Sequence, residues 1–225
     1  MSQASLVPVV TLALILSVGL SCAREACPEV VPPGGTAAET ASPVQMQAAF
    51  AGGFPALFAS EPADDAAPEV REQFGRLVGR WSCQGESVQP DGAFKETPGR
   101  SRWTFFYTLG GQAIGDIYEP PTGAVGINLR VYDPDKGTWT LAWTTPTLRR
   151  YEHFEARQEG ETLVMRGDIA AKGAVPDHRA KIVFFEMAKG TFEWRYEGAK
   201  AGSDGPWQVI SKMHCEAAEV TVSAG

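Results

Sequence analysis

From residue 79 onward, apolar and polar positions alternate in short runs that are broken by Gly, Pro and Asp. The alternation predicts about ten strands, near 81–88, 100–109, 112–118, 125–132, 138–145, 150–157, 162–170, 179–187, 191–197 and 207–216. Between them, Pro90-Asp91-Gly92, Leu109-Gly110-Gly111, Asp133-Pro134-Asp135-Lys136-Gly137, Glu159-Gly160-Glu161, Lys189-Gly190 and Ser203-Asp204-Gly205 suit hairpin turns. Successive hairpins give a meander, and a long meander avoids bare edges by closing on itself. Ahead of the strands, Val70, Phe74, Leu77 and Val78 recur at helical spacing, with Pro68 near the first turn and Gly79 as a stop. The expected fold is all-β: a roughly ten-stranded antiparallel up-and-down barrel with a short N-terminal helix over 69–78.

Period-2 alternation assigns faces to these strands. Trp103, Phe105 and Tyr107 share a side, as do Trp139, Leu141 and Trp143, Leu163 and Met165, Ile182 and Phe184, and Phe192, Trp194 and Tyr196. All six tryptophans and all five tyrosines fall within the strand region. These aromatics make either a filled core or the walls of a cavity, because ten strands enclose more space than side chains easily fill. The second reading predicts a cavity lined by Trp103, Tyr107, Trp139, Trp143, Trp194 and Trp207, suited to a small apolar or amphipathic molecule. The first predicts a structural or assembly role for a barrel packed solid.

The N-terminal third has a different composition. The first 21 residues carry no charged side chain, and residues 6–20 are an apolar run too short for a comfortable membrane span. Small residues at Gly19 and Ser21 fit a secretory cleavage site, so 1–21 is expected to be a signal peptide. Gly19-Leu20-Ser21-Cys22 also resembles the lipobox of bacterial lipoproteins, although Gly19 stands where Leu is usual and the n-region has no Lys or Arg. That resemblance implies acylation of Cys22 and an envelope or periplasmic location, with a membrane reached only through this anchor. Residues 22–68, rich in Ala, Pro, Gly, Ser and Thr, read as a mostly disordered acidic tether before a domain over 69–225. Within it, Met46, Phe50, Phe54, Leu57 and Phe58 form one apolar segment that could dock.

Charge excludes one class of partner. Residues 22–69 hold seven acids and one base, which accounts for −6 of the net −7 and leaves the remainder near −1. A near-neutral domain without a basic stripe is not expected to bind nucleic acid.

Cys83 lies in the first expected strand and Cys215 in the last, which neighbour one another in an even-stranded closed meander. Pairing them sets Gly85 opposite Met213 and Val88 opposite Ile210, and places Trp81, Cys83, Trp207, Val209, Met213 and Cys215 on one parity. The alternatives are a disulfide, as suits an exported protein, and two buried free thiols. Cys22 and Cys27 are then a lipid anchor with a spare thiol, or a small loop of their own.

The run Leu77-Val78-Gly79-Arg80-Trp81 is similar to the G-x-W start of the calycins, the lipocalin and fatty-acid-binding barrels. With Leu109-Gly110-Gly111, Arg130-Val131-Tyr132-Asp133, Gly137-Thr138-Trp139 and Phe192-Glu193-Trp194, the chain resembles the DUF1579 family of bacterial lipocalin-like domains over most of 70–216. That family's function is unknown, so the resemblance implies a fold and a capacity for ligands, and no chemistry. Another calycin relative, the nitrobindin kind, ligates haem iron through a histidine. Of the histidines, His214 has outward parity and His178 sits in the turn Pro176-Asp177-His178-Arg179, which leaves His153 as the candidate ligand.

No nucleophile elbow, P-loop, dinucleotide fingerprint or metal-ligand spacing is present, so no catalytic or metal site and no cofactor is expected. Arg130, Asp133, Arg149, Arg150, Glu152 and His153 could gather as a polar cluster at one barrel mouth. Arg130, if it points inward among aromatics, could pair with a ligand carboxylate.

Overall fold

The structure, a computed structural model, describes residues 58–59, 61–173 and 175–218. The signal peptide, Cys22, Cys27 and the segment 46–57 lie outside the described residues. The strands are β1 (Phe58–Ala59), β2 (Gly79–Val88), β3 (Phe94–Glu96), β4 (Ser101–Thr108), β5 (Ala113–Glu119), β6 (Gly126–Asp133) and β7 (Thr138–Thr144). They continue as β8 (Glu152–Glu159), β9 (Thr162–Ile169), β10 (His178–Ala188), β11 (Thr191–Lys200) and β12 (Gln208–Ala217).

Strands β4 to β12 pair in sequence order, all antiparallel; β12 then pairs with β2, and β2 returns to β4. The result is a closed ten-stranded barrel, as the alternation predicts. The seam between β2 and β4 is only half as long as the strands. It runs from Gly79 opposite Phe105 to Cys83 opposite Ser101. Beyond it β3 takes over the free edge of β2, with Val88 opposite Phe94, and β1 takes the free edge of β4, with Phe58 opposite Thr108. Each half-edge is thus covered by a short strand, which removes the unpaired backbone that an open seam would expose.

Strands β12 and β2 pair from Ala217 opposite Trp81 to Ser211 opposite Ser87. Cys215 and Cys83 face each other at a Cα–Cα distance of 4.0 Å and are joined as a disulfide inside the barrel wall.

The expected helix over 69–78 is split. Pro68–Glu72 forms one α-helical turn, α1; Gln73 leaves helical geometry (φ −102°, ψ −105°), and Phe74–Leu77 continues as a 3-10 turn. Two contacts accompany the break. The Gln73 amide oxygen accepts a hydrogen bond from the Trp139 indole (2.7 Å). Gly75 packs directly on the Val70 carbonyl and the Tyr107 hydroxyl, where a side chain would not fit. The broken helix is a plug at one end of the barrel: Val70, Phe74 and Leu77 are fully buried beside Trp81, Trp139 and Phe192. Phe74 meets Trp139 and Phe184 edge-on (5.1 and 5.7 Å), and Trp81 donates to the Leu77 carbonyl (2.7 Å). Residues just before the helix join the same end, since Ala63 N–H bonds the Gly111 carbonyl (3.2 Å) and Gln112 bonds Asp65 (2.6 Å).

Candidate functional site

With one end plugged, the other half of the barrel encloses a cavity of about 250 Å³. Its walls are the indoles of Trp103, Trp143 and Trp194, the rings of Phe154 and Phe184, and Met165, Ile182 and Met213. Each comes from the inward parity of its strand, so the aromatic surface is the direct product of period-2 alternation. The Trp143 ring fills the space over Gly126, which stands diagonally across from it beyond its strand partner Asn128 and where a side chain would collide with the indole.

The fully buried polar groups beside the cavity lie on β5 and β6. Arg130 is 1% exposed and Asp116 fully buried, and the Arg130 Nη1 bonds Asp116 Oδ2 in an ion pair inside the barrel. Asp116 Oδ1 accepts from the Trp103 indole (2.7 Å) and from Asn128 Nδ2 (3.2 Å). The carboxylate therefore has three donors, which is how a buried anion is made tolerable. The guanidinium is less complete. The phenyl rings of Phe74 and Phe105 lie 4.9 and 5.3 Å from its carbon, and its Nε–H has no hydrogen-bond partner among the described residues.

At the mouth, Tyr196 and Glu152 line the cavity. Glu152 is paired with Arg150 (3.4 Å). The His178 Nδ1 is 3.0 Å from the Pro176 carbonyl and its Nε2 is 2.7 Å from the Tyr196 hydroxyl. A carbonyl only accepts, so Nδ1 carries a proton, and in the neutral ring Nε2 accepts from the tyrosine. Burial pushes the Tyr196 phenol well above its ordinary value, with the Glu152 charge adding to the effect. Burial raises Tyr118 as well, against a smaller opposing hydrogen bond with Ser101.

The eight residues singled out for the cavity divide into three groups. Trp103, Arg130, Trp143 and Trp194 line it. Tyr107 and Trp139 do not: both point inward, but at the plugged end, where Tyr107 packs on Gly75 and Trp139 on Phe74 and Gln73. His153 and Trp207 are on the outside. Ala142 is opposite His153 and the inward Leu141 opposite Phe154, so Phe154 takes the inner face and His153 is exposed, near the Tyr151 ring (6.4 Å). A haem ligand at His153 is therefore ruled out by the direction of its side chain.

Trp207 is displaced by a β-bulge. Tyr196 is opposite Ser211 and Glu197 opposite Val209, so Ile210 is an extra residue and parity inverts before it. Trp207 consequently packs outside, beneath Arg179 and Lys181 (5.6 and 5.0 Å to the ring). Two site residues carried readable but unused signals. Asp116 shares the inward parity of Ile114 and Tyr118, and His178 that of Ala180, Ile182 and Phe184.

No family model matches the chain, and no curated protein does. Among solved structures, Rv2717c from M. tuberculosis is 12% identical with a TM-score of 0.46, over 69% of this chain and 100% of that one. The S-type phycobiliprotein lyase CPES from Guillardia theta is 13% identical with a TM-score of 0.46, over 67% of this chain and 93% of that one.

Proposed function

We propose that the protein is an exported binding barrel that holds a small apolar or amphipathic molecule between Trp103, Trp143 and Trp194. The observation that carries this reading is the division of the interior: one half is plugged by a helix, and the other is left as an aromatic-walled space of about 250 Å³. A barrel serving only as a scaffold would gain stability by filling that half too. Export is part of the proposal and draws on the apolar N-terminus and on the disulfide between Cys83 and Cys215. The motif likeness to the DUF1579 family supports the same reading without adding chemistry.

Native mass spectrometry of the full chain from an oxidising compartment tests it. An added small-molecule mass that is lost on denaturation, and lost in Trp194→Ala, is the expected result. A bare protein mass after exposure to lipid and metabolite extracts would overturn the binding role in favour of the structural one.

A further inference from the structure

We infer that the cavity selects an uncharged ring compound that presents a carbonyl-type acceptor to the Nε–H of Arg130, and discriminates against the matching carboxylate. This deepens the binding role proposed above and depends on it.

Three features of the interior lead there. The first is the free donor. Arg130 is 1% exposed and lines the cavity, yet its Nε–H has no partner among the described residues. A buried donor left open calls for an acceptor from outside the chain. The second is charge. An arginine alone would draw an anion, but this one is already neutralised by Asp116, which no solvent reaches. At the mouth Glu152 is paired more loosely with the partly exposed Arg150 (3.4 Å), so the two ion pairs beside the space carry no net charge. A carboxylate entering would lose its hydration and find no net positive charge in return, with Asp116 on the far side of the same guanidinium. A ketone or amide oxygen meets the N–H dipole at far lower desolvation cost. The third is size and shape. An engineered apolar cavity of ~150 Å³ accepts benzene, so about 250 Å³ walled by three indoles suits two fused rings with a short substituent.

Calorimetric titration of the full chain at neutral pH with naphthalene, methyl naphthyl ketone and naphthoate tests the inference. Expected is a ranking in which the ketone binds about tenfold tighter than naphthalene, the amount one well-made hydrogen bond supplies, and about tenfold or more tighter than naphthoate, whose charge loses its hydration. Asp116→Asn keeps an acceptor for Trp103 and Asn128 while removing the counter-charge, and should raise naphthoate affinity until it equals or passes that of the ketone. Should that variant fail to fold, the wild-type ranking decides alone. Naphthoate binding the wild type as tightly as the ketone overturns the inference and leaves the binding role standing. Failure of all three to bind also overturns the inference, while the binding role then stands or falls on the native mass measurement above.

Discussion

Removing one half of the Asp116–Arg130 pair strands the other as a buried charge. Asp116→Ala should therefore cost about 3–5 kcal/mol, whereas Asp116→Leu with Arg130→Met, which removes both charges, should recover most of that loss. Urea unfolding midpoints of the two variants check this, and equal midpoints would show that the pair is not buried as described. Tyr196 gives a prediction in pH. Its folded value lies above the ordinary 10.0, so the unfolded chain releases the proton first as pH rises. The contribution of Tyr196 to stability is thus complete below pH 10 and is lost above it. Wild type should lose stability more steeply than Tyr196→Phe beyond that point, as followed by denaturant titration across alkaline pH. At this scale the sequence was partly legible. Arg130 could be suspected because it sits in a strand among aromatics. Asp116 was missed because a lone polar residue on an apolar parity is easily set aside as an exception, and His178 because its place beside Pro176 and Asp177 reads as a turn, whereas it is the first residue of β10.

Strand β6 shows why alternation alone misleads about which side is buried. Its polar residues Asn128 and Arg130 point inward, while Ile127, Leu129 and Val131 point out and are 48%, 40% and 42% exposed. The pattern has the right period and the reverse of the usual orientation, in keeping with the buried contacts that Asn128 and Arg130 make with Asp116. Two leucines on adjacent strands separate the cases. Leu129→Lys should change stability by no more than about 0.5 kcal/mol, and Leu141→Ala by about 2–5 kcal/mol, measured as the difference in unfolding free energy. Period also says nothing of depth. Trp139 and Trp143 share a face of β7, yet one belongs to the plug and the other to the cavity, because the helix fills one end only. Nor does it survive an inserted residue, as the bulge at Ile210 shows for Trp207.

For the whole molecule, the number of strands, their order and their closure could all be read from turn spacing and alternation, since these are local signals repeated along the chain. The half-length seam with its two covering strands could not, since β1 and β3 are two and three residues long. Closure by β2 and β12 is also where the disulfide sits, 132 residues apart in sequence. In the chain-entropy model such a loop contributes on the order of 4–5 kcal/mol. Unfolding in urea with and without reductant should show a loss of that order, matched by Cys83→Ala with Cys215→Ala; no difference would mean that the thiols are free.

The same bond sets how the molecule would respond to force. Stretched between its two termini, the oxidised chain transmits tension through the sulfurs and leaves residues 84–214 out of the loaded path. Most of the barrel would then remain unextended however hard it is pulled. Cutting the bond in a single-molecule pulling experiment should release a further ~430–480 Å of contour length in steps, at ~3.3–3.6 Å per residue. Under a load applied to its ends, that seam acts as a mechanical stop.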